Sequence, residues 1–207
     1  MLNWTEWSIF AFYIMTKAER TKQFIIERSA PIINKKGMAG TSLSDIMEAT
    51  KLAKGGIYGN IGNKDEICLE SFSYLVKLRA AHFDKVVANA ATAKNKLFNL
   101  LDAYQKSNVL EGGCPLLNFG VESDDTHPKM NERVKKAIRS SQKRIFNILS
   151  KGVADKEISP AINPKNFSIK IFAMIEGAIL LRKVLANDEQ MKMVVESIKQ
   201  EFESFLV

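Results

Sequence analysis

The chain has 207 residues, of which 46% are hydrophobic and 26% are charged, and its formal net charge at pH 7 is +7. This hydrophobic share is enough for a buried core, so the composition excludes a chain that is disordered over its whole length. The positive charge permits a polyanionic partner without requiring one, because many basic proteins simply carry solvated lysines. The two cysteines, Cys68 and Cys114, have no metal-ligand spacing and predict free thiols in a cytoplasmic protein.

The first fifteen residues are interpreted as an extension ahead of the folded chain. The run Trp7–Met15 is apolar and aromatic, but it is shorter than the roughly 20 residues that a membrane-spanning helix needs. It also lacks the positive segment and the small-residue cleavage site of a secretory signal. We therefore expect residues 1–15 to be disordered or a mis-assigned start, with no membrane partner; an interfacial anchor is the alternative.

The rest of the chain predicts helices separated by short breaks. A helix over 16–36 is indicated by a single apolar stripe, by a capping-box pattern of Thr16 and Glu19, and by Gly37 at its end. Further helices are predicted over about 43–50, 54–60, 64–90, 94–110, 115–123, 128–151, 164–186 and 188–206. Because no stretch of useful length alternates as a strand does, the predicted fold class is all-α.

Two of these helices are short, adjacent and abruptly joined, which is typical of a helix-turn-helix. Leu43, Ile46 and Met47 give the first of them an apolar face. The second begins with Gly55–Gly56, and each glycine costs about 1 kcal/mol in a helix relative to alanine. A helix whose N-terminus must approach a DNA major groove closely has a reason to accept that cost. We therefore predict a helix-turn-helix over 41–61.

This region resembles one known family in the order and spacing of its motifs. The stretches Gly37–Ile46, Lys54–Asn60 and Asn63–Glu66 are similar to the DNA-binding domain of TetR-family transcriptional regulators. The resemblance implies an all-α protein with a three-helix helix-turn-helix DNA-binding head at 16–62. It also implies a helical ligand-binding and dimerisation body at 63–207.

The resemblance assigns DNA contacts to nine residues of the head. Thr41 and Ser42 are expected to meet a phosphate through their hydroxyls and backbone N–H groups. Tyr58 and Lys64 are expected at further phosphates, and Lys54 at a guanine edge or a phosphate. The full set of expected DNA-binding residues is Thr41, Ser42, Lys54, Gly55, Gly56, Tyr58, Gly59, Asn60 and Lys64. The expected partner is a double-stranded, palindromic operator.

The sequence departs from the family pattern at several positions of the head. Lys51 stands where the family usually has a turn glycine, and a lysine at positive φ is strained by about 1 kcal/mol or more. Ile61 and Met38 replace aromatic residues, and Gly62 adds flexibility. These departures predict a softer head whose exact contacts differ from the family's.

For the body, the resemblance implies a cavity that binds a small apolar or amphipathic molecule. The residues expected to line it are Phe72, Leu75, Phe83, Tyr104, Leu117, Asn118, Phe119, Glu122, Phe146, Phe172 and Glu176. Glu176 lies in an otherwise apolar run and needs a partner if it is buried. The options for that partner are Arg182, a structural hydrogen bond or a cationic ligand.

The leading hypothesis is a repressor that a small molecule releases from its operator. The resemblance implies that the last two helices form a homodimer interface. A twofold dimer also fits an operator at which two heads must reach major grooves about 34–36 Å apart. One alternative is a ligand-independent architectural DNA-binding protein, and a remote one is a helical metal-dependent hydrolase. Asp124–His127 offers too few ligands for a metal site, and no catalytic motif appears, so we expect no enzyme activity, no metal and no cofactor.

Overall fold

The computed structural model describes residues 15–106 and 110–207, and within them the chain folds into nine α-helices without a strand ladder. The predicted extension lies outside the described residues except for Met15. The all-α prediction is confirmed. The helices are α1 (Lys17–Lys36), α2 (Leu43–Thr50), α3 (Lys54–Tyr58), α4 (Lys64–Ala88), α5 (Ala93–Lys106), α6 (Pro115–Ser123), α7 (Pro128–Ala154), α8 (Pro164–Leu185) and α9 (Glu189–Glu203).

The chain divides into two compact units. The first unit ends at Leu75 and the second runs from Val76 to Val207, so the division falls within α4. The boundary expected from the sequence, at residue 62, lies ahead of this helix. In the first turn of α4, Glu66 pairs with Lys22 of α1 at 2.6 Å. The start of α4 therefore belongs with the first unit.

α1 begins and ends where its sequence predicts. Thr16 Oγ1 accepts from the backbone N–H of Glu19 at 3.2 Å, and Glu19 Oε2 accepts from the backbone N–H of Thr16 at 2.7 Å. This is the predicted capping box. At the other end Gly37 adopts a φ of 82°, and its N–H donates to the carbonyl oxygen of Ile33. Since most other residues are strained at positive φ, glycine ends the helix here.

Isoleucines from consecutive elements form much of the core of the first unit. The buried ones are Ile25, Ile26, Ile33, Ile46, Ile57, Ile61 and Ile67. α1 packs against α2, and α2 packs against α3. Ile61 and Met38, which depart from the family pattern, are both buried. These departures therefore change the volume of the core and leave the exposed surface unaltered.

In the second unit α8 packs against α7 and α9, while α7 also packs against α5 and α6. Proline occupies the first turn of three of these helices, at Pro115, Pro128 and Pro164, where its missing N–H costs nothing. His127 precedes α7, and its Nδ1 accepts from the backbone N–H of Met130 at 3.1 Å. This histidine therefore acts as a helix cap.

α7 comes close to α5 at Gly152. A Cβ added there would lie 2.6 Å from the Cβ of Ala93 and closer still to the side chain of Ile158. Real carbon atoms do not approach each other to that distance, so the packing of the second unit requires glycine at this position.

Candidate nucleic-acid interface and cavity

The turn between α2 and α3 is made by Lys51 in a left-handed conformation. Its φ is 57° and its N–H donates to the carbonyl oxygen of Met47 at 2.8 Å. The positive φ expected at this position is confirmed. Thr50 supports the turn, because its Oγ1 donates to the carbonyl oxygen of Ile46 and accepts from the N–H of Leu52. α3 therefore leaves α2 abruptly, as a helix-turn-helix requires.

The N-terminus of α2 is capped by Ser42. Its Oγ accepts from the N–H of Asp45 at 3.1 Å, and the Asp45 carboxylate accepts from the N–H of Ser42 at 2.7 Å. The other oxygen of this carboxylate accepts from Lys36 Nζ at 2.6 Å. The hydrogen bond from Lys36, followed by those from Ser42, holds the pKa of Asp45 well below its usual range. The start of α2 is therefore fastened to the end of α1.

Thr41 does not occupy the position expected from the sequence. Its side chain is fully buried, and its Oγ1 donates to the carbonyl oxygen of Gly37 at 2.7 Å. A buried hydroxyl with an internal acceptor is not available to a phosphate. The Thr41 hydroxyl is therefore not placed for the expected phosphate contact, whereas Ser42 at the same helix end is exposed.

α3 presents glycine backbone at its surface. Gly55 and Gly56 are exposed, and a Cβ added at Gly55 would meet no atom within 4 Å. At Gly56 it would make an ordinary contact of 3.8 Å with the Cβ of Leu52. The fold therefore requires glycine at neither position, although each costs about 1 kcal/mol relative to alanine. The two glycines keep the outer face of α3 free for a closely approaching partner.

The end of α3 is occupied by contacts within the chain. A Cβ added at Gly59 would lie 2.9 Å from the carbonyl oxygen of Gly55, so this glycine has a local structural role. Asn60 Nδ2 donates to the carbonyl oxygen of Gly56 at 2.8 Å. The side chains of α3 that remain for a partner are those of Lys54, which is exposed, and Tyr58, which is half-buried.

Lys64 is the first residue of α4 and lies beside another helix cap. Asn63 Oδ1 accepts from the N–H of Glu66 at 2.8 Å, which fixes the start of the helix. Lysines also lie on the elements around this cap. Three of them have no ion pair recorded among the described residues: Lys51, Lys54 and Lys64. Uncompensated cations near a short exposed helix suit a phosphate backbone.

The second unit contains a cavity of about 610 Å³. Its walls come from α4, α5 and α8 and from the segment that leads into α6. Its lining combines apolar, aromatic and charged residues: Arg79, Phe83, Tyr104, Leu110, Glu111, Gly112, Gly113, Cys114, Pro115, Ile179, Arg182, Lys183, Ala186, Asn187 and Asp188. This volume lies within the range of small-molecule pockets, about 300–1,000 Å³.

Two of the residues expected to line a cavity do so, Phe83 and Tyr104. The other nine lie outside the cavity lining. Phe72 and Leu75 are buried in the first unit, and Phe146 is on α7 with 38% of its surface exposed. The remaining residues are on α6 (Leu117, Asn118, Phe119 and Glu122) and on α8 (Phe172 and Glu176). Asn118 braces the cavity wall, because its Nδ2 donates to the carbonyl oxygen of Gly112 at 2.9 Å.

Glu176 pairs with Arg79 and not with Arg182. The distance from Arg79 Nη2 to Glu176 Oε1 is 2.8 Å, and the two side chains are 8% and 12% exposed. Arg182 Nη1 donates instead to the carbonyl oxygen of Gln105 at 2.9 Å. Of the options left open for Glu176, the structure therefore contains the structural one at Oε1, while the buried Oε2 has no hydrogen-bond partner among the described residues.

Arg79 is the buried charge of the cavity wall. Its guanidinium carbon lies 5.3 Å from the ring centroid of Phe83 and 5.4 Å from that of Tyr104. Sequence reasoning missed this residue. A signal was present, because Leu75, Arg79 and Phe83 are four residues apart and share one face of α4. An arginine between two buried apolar residues needs a buried acceptor.

Cys114 lines the same cavity as a protonated thiol. Burial raises the pKa of the thiol to about 12. The thiolate is the reactive form of cysteine, so Cys114 is unsuited to nucleophilic or redox chemistry at neutral pH. Cys68 is also buried and is not part of a disulfide.

α8 carries apolar side chains that a single chain leaves exposed. Leu180, Leu181, Val184 and Leu185 are between 43% and 71% exposed, and Met193 of α9 is 65% exposed. Monomeric proteins rarely expose apolar side chains in such a cluster. We call the exposed apolar residues of α8 and α9 the apolar face.

Over 15–106 and 110–207, no three potential metal ligands among His, Cys, Asp and Glu come together. In the same part of the chain, no helix combines the length and the apolar character that crossing a membrane demands.

Comparison with protein families gives a match over the second unit. Residues 93–198 match the family model described as the tetracyclin repressor-like, C-terminal domain. Among curated proteins, an HTH-type transcriptional regulator in the lacX 3′ region of Lactococcus lactis subsp. lactis is 27% identical over 189 residues. That alignment covers 88% of this chain and 93% of the relative.

Two solved structures are similar over nearly the whole chain. A TetR-family transcriptional regulator from Cytophaga hutchinsonii has 36% sequence identity and a TM-score of 0.89, and the match covers 93% of this chain and 98% of that one. A TetR transcriptional regulator from Chloroflexus aurantiacus J-10-FL has 30% identity and a TM-score of 0.87, with the same coverage of both chains.

Proposed function

Because this chain belongs to the TetR family of transcriptional regulators, we propose that it acts in the cytoplasm as a homodimeric repressor and leaves a palindromic operator when a small molecule binds. Members of the family bind DNA operators as dimers and are typically ligand-responsive repressors; the family consists of regulators, which are not enzymes. The proposal assigns operator binding to the first unit, ligand binding to the cavity of the second unit, and dimerisation to the apolar face.

The surface of α3 is the observation that carries operator binding. The fold does not require glycine at either position, since a Cβ at Gly55 would meet no atom within 4 Å and one at Gly56 would make only an ordinary contact with Leu52. An α-helix that enters a major groove gains from the missing side chains, because the backbone can approach the base edges. Lys54, Tyr58 and Lys64 then supply a cation or a hydroxyl to the groove and the flanking phosphates.

The apolar face supports the homodimer. A twofold interface places the same patch of both subunits together, so Leu180 and Val184 of one subunit would be covered by the other. Covering them removes apolar surface from water at about 25 cal/mol per Å². A twofold dimer also matches a palindromic operator, whose half-sites lie about one helical turn apart.

The cavity supports release by a ligand. A molecule that binds more tightly to the DNA-free dimer than to the DNA-bound dimer weakens operator binding by the ratio of the two affinities. A cavity of about 610 Å³ accommodates such a molecule within the second unit.

Operator binding can be tested by fluorescence anisotropy. The purified protein is titrated against a duplex from the region upstream of its own gene and against a random duplex of equal length. We expect tighter binding to the upstream duplex and a steep loss of affinity with salt, since lysine–phosphate contacts release counterions. Equal affinity for the two duplexes would refute the proposal.

An architectural DNA-binding protein that responds to no ligand is the second candidate. It shares the DNA-binding surface but has no use for an open cavity, whose lining includes the buried cation of Arg79. A screen of small molecules by thermal shift separates the two candidates, because a ligand of the native state raises the melting temperature.

A further inference from the structure

Resting on the proposed function, we propose that the cavity of the second unit selects an aromatic carboxylate. The sequence alone leaves the ligand as an apolar or amphipathic molecule, with a cationic ligand among the options for Glu176. Three features of the cavity narrow this choice: the buried guanidinium of Arg79, the aromatic walls and the charged residues of the lining.

Arg79 supplies the group that recognises a carboxylate. It is 6% exposed and lines the cavity. A guanidinium has five N–H donors, and within the described residues one side-chain hydrogen bond is recorded for it, to Glu176. A carboxylate in the cavity supplies two acceptor oxygens in the planar geometry that a guanidinium matches.

Aromatic side chains flank this cation. The rings of Phe83 and Tyr104 lie 4.3 Å apart between centroids at an interplanar angle of 34°, and Arg79 lies over both. Ile179 and Leu110 add aliphatic lining. A flat aromatic body packs well in such surroundings, because aromatic pairs gain from offset or edge contacts beyond the burial of area.

The lining contains more cations than acids. Arg79, Arg182 and Lys183 line the cavity together with Glu111 and Asp188, and Arg182 Nη1 lies 3.7 Å from Asp188 Oδ1. Lys183 Nζ donates to two neutral oxygens, the carbonyl of Gly112 at 2.9 Å and Oδ1 of Asn118 at 3.2 Å. Glu176 is paired with Arg79 and is absent from the lining, so it is not positioned to receive a cationic ligand.

Three matched pairs of compounds test the charge preference. Benzoate, 2-naphthoate and 3-phenylpropionate are compared with their primary amides by thermal shift and by isothermal titration calorimetry, without DNA. We expect one or more of the carboxylates to raise the melting temperature and to bind about tenfold more tightly than its amide, as a charge-assisted hydrogen bond does. If no carboxylate binds, or if the amides bind equally well, the inference is overturned.

Two variants test the role of Arg79. Arg79→Met alone would leave Glu176 buried without a partner, so it is combined with Glu176→Gln, which removes both charges. In this double variant the advantage of the carboxylate over its amide should disappear. Glu176→Gln alone should bind the carboxylate several-fold more tightly, because a neighbouring negative charge is removed. A carboxylate preference that persists in the double variant, or a loss of binding in Glu176→Gln, contradicts the assignment.

Failure of this inference can be distinguished from failure of the proposed function. Operator binding is measured on the same samples with the upstream duplex. If another class of molecule releases the operator and no carboxylate binds, the inference fails while the proposed function stands. If a carboxylate binds as described and the protein shows no operator preference, the proposed function fails while the ligand class stands.

Discussion

Lys36 at the end of α1 and Asp45 in the first turn of α2 are joined by a contact of 2.6 Å between Nζ and Oδ1. The same carboxylate closes the cap of α2 through Ser42. One ionised group therefore holds two helices in register and fixes the helix end that faces a DNA phosphate in the proposed function.

The stabilisation from Asp45 should depend on pH. Its folded-state pKa is depressed, so its contribution is full above the unfolded-state pKa of about 3.9 and is lost as the pH falls toward the folded value. We expect Asp45→Asn to lower the urea midpoint of unfolding at pH 7. At strongly acidic pH the midpoint of the variant should approach that of the parent protein. Asp125→Asn, in an exposed turn, is the control for net charge. A deficit of Asp45→Asn that stays constant with pH would contradict the prediction.

Alanine at the glycines of α3 should separate folding from DNA binding. We expect Gly55→Ala and Gly56→Ala to raise the free energy of unfolding by about 0.5–1 kcal/mol, because helical glycine is replaced where a Cβ has room. Operator affinity should fall by about tenfold, because the added methyl groups occupy the space proposed for DNA. Chemical unfolding and anisotropy measure the two effects.

Gly59→Ala is the matched control for these variants. Its Cβ would lie 2.9 Å from the carbonyl oxygen of Gly55, so this substitution should lower the free energy of unfolding. If Gly55→Ala and Gly56→Ala retain full operator affinity, the close approach of DNA to α3 is wrong.

Glycine at Lys51 should stabilise the protein. Lys51 has a φ of 57°, and relief of that strain should raise the free energy of unfolding by about 0.5–1 kcal/mol. Lys156 has a φ of 60° in the second unit, so Lys156→Gly is expected to give a similar gain. Only Lys51→Gly should weaken operator binding, because it also removes a cation beside α3. Equal operator affinity of the two variants would exclude a phosphate contact by Lys51.

An acidic residue in the apolar face should dissociate the dimer. Val184→Asp is expected to weaken dimerisation by about 3 kcal/mol or more, which is over about 100-fold, because the charge would be buried without a partner. Val121 is also exposed, at 78%, but lies on α6, so Val121→Asp is the control. Analytical ultracentrifugation measures both. A Val184→Asp protein that remains dimeric would place the interface elsewhere.

The pair of Arg79 and Glu176 should show strong coupling in stability. Arg79→Met alone is expected to lower the free energy of unfolding by about 3–5 kcal/mol, since it leaves a buried carboxylate without its partner. The double variant with Glu176→Gln should recover most of that loss. A double-mutant cycle from urea unfolding measures the coupling, and additive effects of the two substitutions would show that the pair contributes little.

The helices were predictable because their ends carry local signals. Thr16 with Glu19, Gly37, and the prolines that begin α6, α7 and α8 act within a few residues of each helix end. The sequence also located α3 correctly, because two adjacent glycines in a helix are unusual. Signals of this kind do not depend on how distant segments pack.

The predictions that failed depended on which side chains are buried and on which residues far apart in sequence pair with each other. Both Thr41 and Ser42 are good caps by type, and only packing against Gly37 decides that the Thr41 hydroxyl points inward. Arg79 and Glu176 are 97 residues apart, so helical periodicity cannot pair them. Much of the cavity lining comes from the segment before α6, whose residues have no periodic pattern.

The open space around Gly55 and Gly56 has a consequence for how this regulator can change over evolutionary time. A Cβ at either position meets no steric obstacle within the chain, so the proposed operator is the main steric constraint on substitutions there. The two residues that follow α3 are more constrained, because a Cβ at Gly59 would lie 2.9 Å from the carbonyl oxygen of Gly55 and Asn60 Nδ2 donates to that of Gly56. Substitutions that change operator preference between related regulators should therefore be found mainly at these two positions.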